Sequence, residues 1–482
     1  MDAPAASTPL AGPAPASTRA EVIALLRLAA PLVGANLLQM SIYAVDVVFV
    51  AKLGPVELAA STLGVFLFSL IMWALIGFTG ACAPIIAAEL GARAHAVRQV
   101  RRSFRMAMWL SVISGVVAMA VLANGHRILL LLDQDPHVSA RTAAFLNILL
   151  WVMLPNLFAG VMRTVAAALG RPGWAMAVTA GALGLGVLGN WLLVFGHWGF
   201  PALGLEGSAI ASVVTATAMM LAYAAIIAFD PKLRRYRLFG KWWVPHWQRM
   251  AEIAKLGAPI ALIFMLEGGL FGGAAFLMGL IGVTEVAAHA IALNIAALAF
   301  QVPFGISQAA TIRVGLAYGA RDHLWIARAG WAAIVSGTGF MVLTATLIWV
   351  APRLIIGIYV DVDDPSRAAE VALAMQFLVV CALFQLFDGA QSVAAGSLRG
   401  LQDTRVPMYI AAFGYWVAGF GTAILIGFRF QLPWIGTWVG LHWGGVGIWV
   451  GLAVGLLVVS SLLVTRWAMR EKLGLLPAAV AG

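Results

Sequence analysis

Three carboxylates stand where acids are seldom kept. Asp388 lies in the middle of FLVVCALFQLFDGAQSVAAGSLRG (377–400), Asp46 in LLQMSIYAVDVVFVA, and Glu267 in APIALIFMLEGGLFGGAAF, all three in stretches apolar enough for a lipid bilayer. A charge at the centre of a membrane helix costs about 2.5–3.5 kcal/mol on insertion scales, so such a residue normally has a partner or a task. Burial disfavours an ionised carboxylate and a nearby cation restores it, so a proton, Na⁺ and an organic cation can compete for one negative charge. Glu267, Asp388 and Asp46 are therefore the candidates for binding a small ion or proton. A Na⁺ site needs several oxygens. Glu267 and Asp388 would supply carboxylates, with Asn294, Gln385, Gln391 and backbone carbonyls completing the shell. A single carboxylate suffices for H⁺, and the residues alone leave that choice open.

The elements that must hold these acids are membrane helices. Of 482 residues, 62% are hydrophobic and 10% charged, against about 45–50% and about 25% in soluble domains. This is an all-α polytopic membrane protein with little left over for an extramembrane domain. Taking about 20 mostly apolar residues per span, twelve spans are expected at 24–50, 57–81, 106–124, 144–168, 174–196, 206–229, 255–281, 285–312, 326–350, 370–397, 407–428 and 445–468. The net charge of +10 does not point to nucleic acid, because the Lys and Arg residues cluster between the spans. They crowd one side: Arg93, Arg98, Arg101, Arg102 and Arg105 after the second span, Lys232 to Lys255 after the sixth, and Arg466, Arg470 and Lys472 at the end. By the positive-inside rule both termini are cytoplasmic. Residues 1–20, rich in Ala, Pro, Ser and Thr, read as a disordered tail without the apolar core of a signal peptide. Cys82 and Cys381 lie inside spans and read as small buried hydrophobes.

The chain repeats itself. A shift of 228 residues carries Arg27-Leu28-Ala29-Ala30-Pro31 onto Lys255-Leu256-Gly257-Ala258-Pro259, Gly91-Ala92-Arg93 onto Gly319-Ala320-Arg321, and Val165-Ala166-Ala167 with Arg171 onto Val393-Ala394-Ala395 with Arg399. Gly204 and Gly207 recur at Gly444 and Gly447 with a shift of 240, which implies an insertion before the last span. Two halves with an even number of spans each begin on the same side, so the repeat is parallel. The expected fold is two pseudo-symmetric six-helix bundles around a central cleft, with the binding site near mid-bilayer. The expected divisions are a tail at 1–20, a first bundle at 21–230, a basic cytoplasmic linker at 231–254, a second bundle at 255–470 and a cytoplasmic tail at 471–482.

The motifs VDVVFVAKLG with Asp46, GNWLLVFGHWGFPALGLEGSAIA, LEGGLF with Glu267, EVAAHAIALN with His289, SQAATIRVG with Arg313 and DGAQSVAAGSLRG with Asp388 occur in this order. With them the chain resembles the multidrug and toxic compound extrusion (MATE) transporters, in particular their NorM-like branch, over nearly its whole length. The resemblance implies a bacterial inner-membrane antiporter that exports cationic amphipathic compounds in exchange for Na⁺ or H⁺. It also implies a coupling-cation role for Glu267 and Asp388, and protonation with substrate exit for Asp46. Two aromatics near the second-half acids fall on Phe300 and Phe384, the latter commonly Tyr in relatives. Relatives often have Asn four residues before the position of Asn190, where this chain has Gly186. The candidate cleft residues are thus Asn190, Asn294, Phe300, Phe384, Gln385, Gln391 and His289, the last with a structural role as its simpler reading. The expected partners are small organic cations and membrane lipids, with no cofactor, no nucleic acid and a monomeric chain.

Other residues fit plainer roles. Trp242, Trp243, Trp247, Trp434, Trp438, Trp443 and Trp449 read as interfacial belts. Asp361, Asp363 and Asp364 read as a solvated acidic loop, and Arg163 is the chief basic residue within a span, where it can pair or snorkel. There is no HExxH, GxSxG or Walker A pattern, so hydrolase and ATPase chemistry lack support. The nearest rival is a flippase or exporter of a lipid-linked or other endogenous metabolite on the same fold. Such a protein would usually line its cleft with Arg and Lys, whereas this chain offers acids.

Overall fold

A backbone in lipid has no water to bond, so each crossing segment must satisfy its own N–H and C=O groups as a helix. The computed structural model describes residues 17–92, 96–131, 135–428, 430–431, 438–439 and 441–478. Most of the expected tail, with Arg93, His95, Arg429 and Trp434, lies outside them. Twelve helices among the described residues are long and apolar enough to cross a membrane. They are α1 (Thr18–Ala51), α2 (Pro55–Ala92), α3 (Val97–Ala123), α4 (Pro136–Ala168), α5 (Gly173–Phe195), α6 (Leu205–Phe229), α7 (Trp247–Ile281), α8 (Val283–Ala320), α9 (His323–Val350), α10 (Pro365–Gly400), α11 (Arg405–Gly427) and α12 (Gly444–Ala468). Several begin or end well outside the apolar limits read from the sequence. Hydropathy marks the part that lipid covers, whereas the hydrogen-bond ladder continues into charged turns. Arg98, Arg101, Arg102 and Arg105, expected in a loop, are thus on α3, and α7 starts inside the stretch expected to be a linker.

The two halves match helix for helix in length. The pairs run 34 and 35 residues for α1 and α7, 38 and 38 for α2 and α8, 27 and 28 for α3 and α9, 33 and 36 for α4 and α10, 23 and 23 for α5 and α11, and 25 and 25 for α6 and α12. Arg27–Ala261 form one compact unit. The chain from Leu262 onward forms the other, joined by the opening turns of α1 through Leu26. In the first unit Phe68, Met72, Phe145, Leu146, Met153 and Leu157 build a core between α2 and α4, to which α3 and α6 add Leu122 and Leu205. In the second, Phe377 and Phe384 of α10 pack on Trp449 of α12. Trp449 is therefore core rather than an interfacial belt residue, while Trp443 is exposed.

The repeated glycines have the same task twice. Gly204 and Gly444, at the starts of α6 and α12, have φ of 57° and 58°, a backbone region that L side chains avoid;. One turn on, a Cβ on Gly207 would meet the Leu193 carbonyl oxygen at 2.3 Å, and one on Gly447 would meet the Gly427 nitrogen at 2.7 Å. Bare glycine lets α6 touch α5 and α12 touch α11 backbone to backbone. The insertion before α12 carries a two-residue antiparallel ladder, Phe430–Gln431 with Trp438–Val439.

Two ion pairs, one buried and one half-buried, fasten ends. In the second unit, Arg313 of α8 reaches Glu21 of α1 through Nε at 2.8 Å and a second nitrogen at 2.5 Å, and Trp325 Nε1 donates to the same carboxylate at 3.0 Å. Helix α1 thus begins at Thr18, and Glu21 is fully buried rather than following a tail that runs to residue 20. In the first unit Asp230, just beyond α6, accepts from Arg171 Nε at 2.8 Å, Trp174 Nε1 at 3.0 Å and the Lys232 amide at 2.9 Å.

Candidate functional site

Glycine spacing places Glu267. In LEGGLFGG, the Cβ position of Gly269 lies 3.0 Å from the Trp416 ring and that of Gly273 lies 2.8 Å from the Phe420 ring, so two aromatics of α11 sit in a notch along α7. Trp416 Nε1 also donates to the Leu266 carbonyl at 3.2 Å, beside the acid. Helix α10 is set by small residues on its other side. Gly389 faces Met341 of α9 and Gly396 faces Ser307 of α8, whose hydroxyl donates to the Ser392 carbonyl at 2.6 Å. Thr311 donates to the Gly396 carbonyl at 2.9 Å. These contacts fix the rotation of α10 and with it the face carrying Asp388 and Gln391, three residues apart and hence neighbours on the helix surface.

On that face one side-chain amide holds both acids. Gln391 Nε2 donates to Glu267 Oε1 at 2.9 Å and to Asp388 Oδ1 at 3.2 Å. The amide's Oε1 accepts from the Tyr415 hydroxyl, and Asp388, Gln391 and Tyr415 are all buried. Tyr415 belongs to a π-helical stretch, Phe413–Phe420, in the middle of α11; such stretches are frequent at functional sites. Arg399, at the end of α10, interacts electrostatically with Glu267 and Tyr415 and lies 5.5 Å from the Phe264 ring centroid. Among the described residues no group of three or more His, Cys, Asp or Glu side chains comes together.

Asp46 has a separate setting in the first unit. It accepts from Asn190 Nδ2 at 2.7 Å and from the Ser212 hydroxyl at 3.3 Å. Asn190 also donates to the Gly186 carbonyl at 2.9 Å. At Gly186 a Cβ would have only Thr215 Oγ1 at 3.7 Å and Ile42 at 4.0 Å as neighbours, so this position adds no side-chain donor to the Asp46 set. Arg163 interacts with Tyr43 and Tyr223.

The other candidates of the second half meet other partners. Gln385 accepts from Thr344 at 3.0 Å, because it lies on the α9 side of α10. Asn294 donates to its own helix at Ala290. Phe384 is buried edge-on to Phe271 and Trp449, 6.0 and 5.6 Å away, so its ring is packing rather than open surface. Phe300 stacks on Phe304 at 5.7 Å. His289 is buried against Trp449, and neither ring nitrogen has a hydrogen-bond partner among the described residues. Met153 and Met162 are core as well, and both cysteines are buried and free.

Nothing in the sequence marks Tyr415, Ser212 or Arg399 for these contacts. The repeat carries Arg171 onto Arg399, which reads as a residue at the membrane edge, and a Tyr in GYWVAGF is indistinguishable from belt or core. Ser212, one of two serines in α6, carries no signal of its own.

Twelve helices in two length-matched halves, each with an acid hydrogen-bonded inside a span, define a multi-pass membrane protein built from a duplicated six-helix unit. The MatE family model matches residues 31–192 and 259–425, and the chain belongs to that family, in its NorM-like branch. It is 44% identical over 455 residues to "Probable multidrug resistance protein NorM" of Mesorhizobium japonicum, covering 94% of this chain and 95% of the relative. It is 42% identical over 447 residues to the protein of the same name from Brucella suis biovar 1, covering 93% of each. The crystal structure of the eukaryotic MATE transporter AtDTX14 superposes with a TM-score of 0.82 at 19% identity, covering 95% of this chain and all of that one.

Proposed function

We propose that the protein is a secondary active multidrug efflux antiporter of a bacterial inner membrane, with both termini cytoplasmic. It exports cationic amphipathic compounds in exchange for Na⁺ or H⁺ by alternating access, and performs no enzymatic reaction. The observation that carries this reading is the single amide of Gln391 bonded to both Glu267 and Asp388. Two ionised carboxylates on one donor repel strongly where water is scarce. A proton or Na⁺ between them relieves that repulsion, and its departure leaves a negative centre that favours a cation. Arg399 offsets part of the Glu267 charge while the centre is empty. Asp46, with Asn190 and Ser212, forms a second centre for proton exchange in the first unit. The multidrug resistance names of the two relatives support multidrug efflux.

The test is uptake of a fluorescent organic cation into proteoliposomes under an imposed Na⁺ or H⁺ gradient. Wild type should transport with one of the gradients, while Glu267→Gln and Asp388→Asn should lose the coupled component. Normal transport by both variants refutes the assignment of the centre. Movement of an anionic lipid-linked substrate instead of the cation refutes the substrate class.

A further inference from the structure

The start of α3 carries charge that the transport reading leaves unused. Arg98, Arg101, Arg102 and Arg105 stand at i, i+3, i+4 and i+7, which lays four guanidinium groups along one face of the helix;. Like charges so spaced repel, and here they also stand at the positive end of the helix dipole, with no acid in the first turn;. Such a stripe is stable when an anion lies against it.

The segment before α7 folds onto the same stripe, within the first unit. Arg105 donates to the Lys241 carbonyl, and Arg101 lies 3.4 Å from the Cβ position of Gly240. Trp109 Nε1 donates to the Trp242 carbonyl at 3.3 Å, and its ring packs on Trp242 and Trp243 at 6.1 and 5.9 Å. Arg105 is buried with its Nε unpartnered. Glu89 interacts with Arg102 but is held by Arg249 at 2.5 Å, and no other acid among the described residues is paired with the stripe. Burial and the neighbouring Arg102, Arg105 and Arg249 hold the His246 imidazole below its usual range. Beside this basic surface the indoles of Trp243 and Trp247 are 81% and 67% exposed.

Basic side chains edged by exposed indoles at a span end complement an anionic membrane surface in both charge and depth. We propose that the α3 arginine stripe and the segment from Gly240 to Trp247 form a docking site for the headgroup of an acidic phospholipid. The phosphodiester lies against Arg101, Arg102 and Lys241, and the indoles of Trp243 and Trp247 sit at the level of the acyl esters.

The full-length protein in detergent is titrated with phosphatidylglycerol or phosphatidylcholine in mixed micelles, and its melting temperature is followed. Phosphatidylglycerol should raise the melting temperature more than phosphatidylcholine does. The difference should shrink as salt rises from about 0.1 M to about 1 M, which shortens the screening length from about 10 Å to about 3 Å. The Arg101→Gln/Arg102→Gln variant should lose most of the difference, and Arg101→Lys/Arg102→Lys should keep it. Equal shifts from the two lipids, a salt-independent shift, or an undiminished shift in the Gln variant overturns the proposal. So does the same shift from inorganic phosphate without lipid, which would make this a free-anion site. If the Gln variant does not fold, the wild-type salt series and the Lys variant decide.

Discussion

Tyr415 is the residue on which the geometry of the acidic pair turns. Its hydroxyl holds the Gln391 amide so that both N–H bonds face Glu267 and Asp388. Tyr415→Phe keeps the ring but leaves a buried carbonyl oxygen without a donor, at a cost of about 1–3 kcal/mol. That cost falls on the present amide orientation, so the variant should fold, lose some thermal stability and shift the Na⁺ or pH dependence of transport more than its maximal rate. A variant with an unchanged ion dependence would show that the amide needs no such support. At this scale the sequence exposed the acids and Gln391 but not their mutual contact. A carboxylate in an apolar span is legible wherever it points, whereas a tyrosine, a serine or an arginine near a helix end gains its meaning only from what stands opposite.

At the scale of elements, the pairing of α5 with α6 and of α11 with α12 depends on bare backbone. Gly207→Ala and Gly447→Ala each drive a methyl group into a main chain that cannot move aside cheaply. Overpacking of that kind typically costs about 1–3 kcal/mol. Both substitutions should lower the melting temperature, and Gly160→Ala, with nothing within 4 Å, should leave it nearly unchanged. Asp230 makes a pH-dependent clamp between the turn after α4 and the end of α6. Burial pushes its carboxyl up, but the hydrogen bonds from Arg171, Trp174 and the Lys232 amide outweigh that and hold it below the usual range. The folded form therefore binds this proton less readily than the unfolded chain. Its contribution is complete above the ordinary carboxylate value of about 3.9 and disappears as pH falls through the lower folded value. The melting-temperature gap between wild type and Asp230→Asn should be constant near neutrality and close in acid.

At the scale of the molecule, the first helix belongs to both units. Its opening turns are fastened in the second by Glu21, Arg313 and Trp325, while its later turns, with Asp46, lie in the first. Glu21→Gln removes the carboxylate opposite a buried guanidinium, and breaking a buried pair costs about 3–5 kcal/mol. A marked fall in melting temperature is expected, and Glu21→Gln combined with Arg313→Gln should fall by less than the sum of the single changes. Strict additivity would mean that the pair does not act as a unit.

The sequence by itself determined the helix count, the duplication, the glycines at the repeated crossings and the identity of the three intramembrane acids. Each of these is written in local composition or in self-similarity: apolar length sets a span, and a charge inside one is visible without coordinates. Tertiary structure alone decided that Gln391 joins Glu267 to Asp388, that Tyr415 fixes that amide and that Ser212 shares Asp46 with Asn190. It alone also decided that Gln385 accepts from Thr344 and that Phe384 and His289 pack on Trp449. A helix places successive residues about 100° apart, so which side of α10 meets α7, α9 or α12 depends on the rotation that Gly389, Gly396 and Ser307 allow. Such contacts between distant segments have no counterpart in a linear pattern.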